Sequence, residues 1–504
     1  MNEELWNEAL NEISDRHLNE AIAPKKKSRL PWLGTVAAVL AASVLTAVFG
    51  PALLPDPGMT DPSGNPVIWN TDDPKVTDKE TSGKPDWFDS LPLVRPLSSP
   101  EYPEMAPRPS DPYDYSSPAY QRWNNSLRAQ YDQPKGYASS LKPFFRELIP
   151  LVLTETDGNA VCSPLNIYMA LAMLAETAGG DSRQQVLDLL GAGSIEDSQT
   201  QAGHVWNAHY RSDGTTASLL ANSLWLNEDY YYNVFTANTL ADRYYASVYQ
   251  GDLGSAEMNE ALRSWLSEQT QGLLDNYINN ISMDRDTALA LASTVFFRAR
   301  WQDTFLQQNN TEGIFHSPGG DVPATFMRQT FSHGPYYYGE DYSMVQLDLE
   351  FSGGMWVILP DEGCTPQDIL DSGYALDAIL DPGKRQSSRC MVHVSLPKFD
   401  ISAETDLKEA LTALGLGDLF DSTTADFTGI MPEEEQAYLG KASHATRVSI
   451  DEEGITAAAY TVMGYDGAAP PPEEEVYFTL DRPFIFVITS ADGLPLFTGV
   501  VNQP

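Results

Sequence analysis

The stretch Ile450-Asp451-Glu452-Glu453-Gly454-Ile455-Thr456-Ala457-Ala458-Ala459-Tyr460-Thr461 stands where a strand pattern ends and a long loop begins. Small residues fill its second half, apart from Tyr460. The residues that follow, 462–475, include three consecutive prolines and three consecutive glutamates before a strand pattern resumes at Val476. Because proline cannot donate to a sheet ladder, this part of the chain is predicted to be a loop between two strands. Taken alone, its composition favours a flexible surface connection.

The region around this loop, residues 136–504, has the patterns of one globular domain. Helical periodicity comes first and strand patterns dominate the second half, without β-α-β alternation, which predicts an α+β fold with antiparallel sheets. The predicted helices are 141–154, 164–178, 182–190, 258–269 and 407–414. The predicted strands are 217–226, 289–297, 344–348, 355–359, 391–398, 446–450, 477–480, 484–489 and 495–501.

Six blocks of sequence in this region, in the same order along the chain, resemble the serpin family. Each block is weak alone, but six in family order over the whole domain are specific. They are Ser163-Pro164-Leu165-Asn166-Ile167, Val295-Phe296-Phe297-Arg298-Ala299-Arg300-Trp301, Leu396-Pro397-Lys398-Phe399 with 406–415, Lys441, Ala442 and His444 with 450–454, Arg482-Pro483-Phe484-Ile485-Phe486, and Pro495-Leu496-Phe497-Thr498-Gly499.

The resemblance implies a serpin-like fold with three antiparallel-rich β-sheets, about eight to nine helices and an exposed reactive loop. It also implies a function that is not enzymatic, namely suicide inhibition of serine proteases. A protease attacks the loop and forms an acyl-enzyme. The cut loop then inserts as a new strand into the central sheet and traps the protease covalently, because insertion satisfies strand hydrogen bonds and buries apolar surface.

Insertion requires hinge residues whose side chains can be buried in a sheet. The resemblance assigns the hinge to residues within 452–461. Alternate residues of a strand face the core, so residues 455, 457, 459, 461, 463 and 465 would face inward. None of them is charged or proline, whereas a buried charge would cost several kcal/mol. This pattern favours an inhibitory member. The implied hinge residues are Glu452, Glu453, Gly454, Ile455, Thr456, Ala457, Ala458, Ala459 and Thr461.

Three positions depart from the family pattern. Family hinges usually have Thr or Ser at the place of Ile455 and a small residue at the place of Tyr460, so we expect slower insertion. Ser293 stands where the family has an asparagine, and its hydrogen bonds must be arranged differently. These departures leave open an alternative, a non-inhibitory serpin that acts as a binding or structural surface protein.

The resemblance also assigns residues to two places in the central sheet. Trp301 would cover the breach, the point where insertion starts, and Ser163, Ser293 and His444 would belong to the shutter at the middle of the sheet. We expect His444 to be a structural hydrogen-bonding residue. A hydrolase that uses Ser163 and His444 is a remote alternative, since no base motif accompanies the serine.

Counting from the hinge places the reactive bond at Ala468–Ala469. A count backward from Arg482 allows Ala469–Pro470 instead, but proline on the leaving side resists most serine proteases. The methyl side chain of Ala468 suits the shallow pocket of elastase-like or subtilisin-like proteases and not a trypsin-like pocket.

The N-terminal part of the chain is predicted to export the domain. Residues 1–29 would be a short cytoplasmic segment ending in a basic cluster, and residues 30–54 contain no charged side chain and are long enough to form one transmembrane helix. A cleaved secretory signal is the alternative. Residues 55–135, rich in Pro, Ser, Asp and Tyr, would be an extended extracellular linker, unless parts of it pack on the domain. The protein would thus be a membrane-anchored, bacterial-type serpin.

Composition excludes several other functions. Lys plus Arg total 31 against 70 Asp plus Glu, so the net charge of −39 argues against a nucleic-acid partner. The three cysteines allow at most one disulfide. No CxxC, HExxH, GxSxG or GxxxxGK[ST] motif occurs. We therefore expect no catalytic residues, no metal and no cofactor. The resemblance implies a monomer whose partners are target serine proteases.

Overall fold

The computed structural model describes residues 39–48, 96–154, 158–279, 281–350, 352–433, 435–452 and 474–504. Its helices, in chain order, are α1 Pro118–Ser126, α2 Arg128–Tyr131, α3 Tyr137–Val152, α4 Pro164–Thr177, α5 Gly180–Leu190, α6 Ile195–His209, α7 Val234–Arg243, α8 Ala256–Gln269, α9 Asp275–Ile278, α10 Pro366–Ser372, α11 Tyr374–Leu380 and α12 Lys408–Leu411.

The strands, in chain order, are β1 Val39–Val48, β2 Ala160–Cys162, β3 Arg211–Ser212, β4 Ala217–Asn227, β5 Ala246–Gly251, β6 Leu289–Ala299, β7 Thr311–Ser317, β8 Gly320–Tyr338, β9 Tyr342–Leu349, β10 Gly353–Pro360, β11 Gln386–Pro397, β12 Phe399–Asp406, β13 Lys441–Ile450, β14 Glu475–Thr479, β15 Phe484–Thr489 and β16 Pro495–Val501.

A seven-stranded sheet forms the centre of the molecule. Its order is β12-β13-β1-β6-β4-β3, with β5 paired to β4. Apart from the parallel β4–β5 pair, the neighbours are antiparallel. Helix α4 packs behind this sheet and every one of its residues is buried. The helix begins at Ser163, whose hydroxyl accepts the backbone N–H of Asn166, and Pro164 occupies the first turn, where no N–H partner is needed.

A nine-stranded sheet forms the second layer, in the order β14-β11-β8-β9-β10-β15-β16-β2, with β7 paired to β8. The α+β class is confirmed, but the described strands make two sheets and not the three that were predicted. The reason is the length of β8. Its 19 residues pair with β7, β9 and β11 in succession and so join strands that would otherwise form separate sheets.

The helices exceed the eight or nine that were predicted. Helices α1 and α2 come from the predicted linker, and α2, α9 and α12 have four residues each.

The predicted transmembrane helix, and with it the single-pass cell-membrane location, is wrong. In the described part of the chain, none of the helices is both long and apolar enough to cross a membrane. Within the predicted span, Val39–Val48 forms β1, a central strand of the large sheet. A charge-free run rich in Val, Ala and Leu suits a doubly buried strand as well as a membrane helix. The other residues of 30–54, and residues 1–29, lie outside the described residues.

The second half of the predicted linker, residues 96–135, packs against the domain. Leu97 and Ser98 pair with Val248 at the edge of β5, with N···O distances of 2.7 and 2.9 Å. The ring of Tyr102 stacks on that of Tyr210 with centroids 5.3 Å apart. The buried indole of Trp123 donates to Asp213 Oδ2 at 2.9 Å. For these residues the structure therefore matches the packed alternative. Residues 55–95 lie outside the described residues.

Candidate functional site at the centre of the large sheet

The connection predicted to be the reactive loop runs between the two sheets. The chain leaves the large sheet at the end of β13, passes Asp451 and Glu452, and enters the second sheet as β14, which lies parallel to β11. Residues 453–473 lie outside the described residues. They include the predicted reactive bond Ala468–Ala469 and every predicted hinge residue after Glu452.

The breach, which we define as Trp301, Asn310, Lys398, Asp451 and Glu452, holds the start of this connection. The Trp301 indole is buried and donates through Nε1 to the Asp451 backbone oxygen at 2.9 Å. The ring also packs edge-on against Phe305, with centroids 5.9 Å apart. Trp301 thus contacts the chain directly after β13 ends at Ile450.

Glu452 is the charged centre of the breach. Its carboxylate receives Lys398 Nζ at 2.6 Å and the side-chain amide of Asn310. Burial by itself would raise the pKa of Glu452, but the hydrogen bonds from Lys398 and Asn310 outweigh it, so the pKa lies below its usual range. Glu452 is therefore ionised at neutral pH and fixes the first turn of the connection.

The shutter, which we define as Ser163, Asn166, Ser293, His444 and Thr446, is a buried hydrogen-bond network. His444 Nε2 accepts the backbone N–H of Ser163 at 2.9 Å and lies 2.8 Å from Thr446 Oγ1. An acceptor nitrogen carries no proton, so the ring is neutral and Thr446 is the donor. The imidazole thus joins β13 to the residue that caps α4.

The geometry argues against a hydrolytic pair. His444 bonds to the backbone nitrogen of Ser163, while Ser163 Oγ donates to the Leu496 backbone oxygen at 2.7 Å. No base accepts the proton of the serine hydroxyl.

Ser293 belongs to the other half of the shutter. Its hydroxyl donates to Asn166 Oδ1 at 2.6 Å, and Asn166 Nδ2 donates to the Ser293 backbone oxygen at 3.2 Å. Ser293 does not bond to His444. The first turn of α4 joins the two halves, because Asn166 N donates to Ser163 Oγ at 3.3 Å. Ser293 is therefore bonded to Asn166 through both its hydroxyl and its backbone oxygen.

The backbone of β1 lies between the two halves of the shutter. In the sheet register, Leu45 is opposite His444 on β13 and opposite Ser293 on β6. Strands β6 and β13 are therefore not neighbours in this structure. The sequence did not predict this strand, and it gave no role to Asn310, Lys398 or Asn166. Lys398 and Asn166 lie inside the quoted blocks, but Asn310 lies outside them, and its approach to Glu452 depends on the fold.

Comparison with known proteins gives the same family as the motifs. The family model described as "Serpin (serine protease inhibitor)" matches residues 142–504. Leukocyte elastase inhibitor from Equus caballus is 30% identical over 370 residues, which cover 70% of this chain and 95% of that protein. Plasminogen activator inhibitor 1 from Bos taurus is 27% identical over 391 residues, which cover 74% of this chain and 94% of that protein.

Solved structures share the fold. The crystal structure of a thermophilic serpin, tengpin, in the native state matches with a TM-score of 0.63 and 24% identity, covering 74% of this chain and 95% of that chain. Arabidopsis AtSerpin1 in its native stressed conformation matches with a TM-score of 0.62 and 23% identity, covering 73% and 98%. The predicted bacterial-type, membrane-anchored membership receives no support from these comparisons.

Proposed function

Because the chain belongs to the serpin family, we propose that it inhibits serine proteases by loop cleavage, loop insertion and covalent trapping of the acyl-enzyme. The observation that carries the proposal is the breach. Asp451 and Glu452 are held by Trp301 and Lys398 at the end of a central strand, and the connection that follows has an inward set without charge or proline. The relatives named leukocyte elastase inhibitor and plasminogen activator inhibitor 1 support the same activity.

The proposed targets have small-residue specificity. Ala468 is the proposed primary specificity residue, and its methyl group fits the shallow pocket of an elastase-like or subtilisin-like protease. The glutamates at 473–475 would favour encounter with a basic protease.

The test is a covalent complex with pancreatic elastase. The purified full chain is incubated with the protease, and an SDS-stable band is expected at the summed mass of the two proteins. Mass spectrometry of the released C-terminal fragment should place the cut after Ala468. A fragment that begins at Pro470 would instead move the reactive bond to Ala469–Pro470.

A matched pair of variants separates insertion from mere cleavage. Ala457→Arg puts a charge on the predicted inward face, and Ala458→Arg puts the same charge on the outward face. We expect Ala457→Arg to be cut without forming a complex, because burying the guanidinium stalls insertion, whereas Ala458→Arg should still trap elastase. If the wild-type chain is also cut without a complex, the non-inhibitory alternative is supported and the proposal is wrong.

A further inference from the structure

The slot between β6 and β13 is filled along its whole length by the N-terminal segment. Each residue of β13 from Lys441 to Ile450 has a partner in β1, and β6 pairs with the same ten β1 residues on the other side. The backbone groups of both flanking strands are therefore satisfied without any contribution from the connection 453–473.

The direction of β1 is the one that an inserted loop would take. A segment that follows β13 and folds back beside it must run antiparallel to β13, starting at the breach. Strand β1 does the same, because Val39 lies opposite Ile450 next to the breach and Val48 lies opposite Lys441. An inserted loop and β1 would thus occupy the same backbone positions, so the two exclude each other.

The amino-acid composition of β1 suits a central strand at least as well as the composition of the loop does. Val39–Val48 contains no charge, no proline and no glycine, and four of its ten residues are β-branched. Residues 454–465 of the loop include Gly454 and Gly464. Glycine weakens a central strand, whereas β-branched residues favour it. On intrinsic strand preference alone, the loop would not displace β1 readily.

The chain that joins β1 to the rest of the molecule is long enough to let β1 leave. Between Val48 and Pro96 lie 47 residues (49–95), which can reach well over 100 Å when extended. Ser98 pairs with the edge of β5, and β5, β4, β6 and β1 are successive neighbours in the sheet. Four strand spacings, about 19 Å, therefore separate Ser98 from β1. The tether therefore keeps the segment nearby without forcing it into or out of the slot.

We propose that residues 39–48 are an internal competitor of the reactive loop, which fills the insertion slot in the uncleaved chain and must leave before the loop can insert. This inference rests on the proposed inhibitory function. It adds a regulatory step at the same site: release of β1 sets how fast the chain traps a protease.

Hydrogen exchange of the full chain tests the occupancy directly. In the uncleaved protein, the amides of 39–48 should be protected to the same degree as those of β6 and β13. After cleavage by elastase, protection should pass from 39–48 to residues 454–465. Exchange of 39–48 at the unprotected rate before cleavage would overturn the inference and leave the proposed function standing. Protection of 39–48 that disappears on dilution to nanomolar concentration would also overturn it. Such a loss would mean that the slot is filled by residues 39–48 of a second molecule.

A proline substitution tests the consequence. Val44→Pro removes a backbone donor at the centre of β1 and cannot be accommodated in a central strand. We expect the variant to form the elastase complex roughly tenfold faster or more and to melt lower than wild type before cleavage. The control is Val67→Pro, in the proline-rich connection, which should match wild type in both. Equal trapping rates for Val44→Pro and wild type would contradict the inference. Absence of any complex, with 39–48 still protected and Val44→Pro melting lower, would support the occupancy while refuting inhibition.

Discussion

The breach and the shutter both lie along the slot between β6 and β13, but they are built from different chemistry. The breach uses a charged pair, and the Lys398 side chain is 34% exposed. The shutter uses neutral groups that are closed to solvent, with His444 at 0% exposure. Exposed ion pairs contribute little and are weakened by salt, whereas a buried polar group that loses its partner is costly.

The breach and the shutter also differ in the elements that their hydrogen bonds connect. The shutter bonds of Ser293 on β6 and of His444 on β13 run to the first turn of α4. These bonds to α4 are therefore compatible with the presence of β1 between β6 and β13. The breach bonds instead hold the departing chain itself, at Asp451 and Glu452. We infer that the shutter fixes the frame of the slot, whereas the breach fixes the start of the connection that leaves it.

The largest effect is expected from His444→Ala. The substitution leaves the buried N–H of Ser163 and the hydroxyl of Thr446 without their acceptor. Each buried, unsatisfied donor costs about 1–3 kcal/mol, so the variant should lose roughly 2–4 kcal/mol in the free energy of unfolding. Urea unfolding followed by tryptophan fluorescence measures this loss.

His444→Gln is the control for this substitution, because the amide oxygen can still accept a hydrogen bond. It should recover part of the lost stability. A His444→Ala variant that unfolds at the wild-type urea concentration would show that the shutter does not hold the slot together.

A smaller loss is expected from Ser293→Ala on the other side of β1. The variant deprives Asn166 Oδ1 of the Ser293 hydroxyl but keeps the bond from Asn166 Nδ2 to the backbone oxygen of residue 293. The expected cost is about 1–2 kcal/mol, read as a lower melting temperature in calorimetry. Ser449→Ala, at a half-buried serine on β13, is the control and should change little. Equal effects of the two substitutions would mean that the Ser293–Asn166 bond carries no special weight.

Much of the frame around the slot could be predicted from the sequence. The strands Phe484–Thr489 and Pro495–Val501 coincide with the predicted ones, because continuous apolar runs bounded by polar or proline residues have few alternatives. The family resemblance assigned Trp301 to the breach and His444 to the shutter. In the structure Trp301 bonds to Asp451, and His444 bonds to Ser163 and Thr446. Nothing in the described residues bears on the predicted reactive bond, which stays a prediction.

The occupant of the slot could not be predicted. A charge-free run of 25 residues (30–54) fits a membrane helix by its length and a central strand by its composition, and the partner strands that decide between them are remote in sequence. The same holds for the breach, where Asn310 and Glu452 are 142 positions apart. Tyr102 and Trp123 were assigned to a linker by the prolines around them, but their rings find partners on the domain.

The smallest effect is expected from breaking the charged pair of the breach with Lys398→Ala. Lys398 is about one-third exposed, and Asn310 still donates to the buried Glu452 carboxylate when the lysine is removed. The pair should therefore contribute only about 0.5–1 kcal/mol at low salt, and the difference between variant and wild type should shrink as salt is added. Lys398→Met, which keeps the apolar stem, is the control for lost packing.

The pH dependence of the same pair has a definite sign. The pKa of Glu452 is lowered in the folded chain from the value of 4.5 for an unperturbed glutamate. Its contribution to stability is therefore fully present above pH 4.5 and is lost as the pH falls through the folded value. Melting curves of wild type and Lys398→Ala should accordingly differ at neutral pH and converge below pH 4.5. A gap that stays constant down to strongly acidic pH would mean that Lys398 acts through packing, and the contrast between a charged breach and a neutral shutter would then fail.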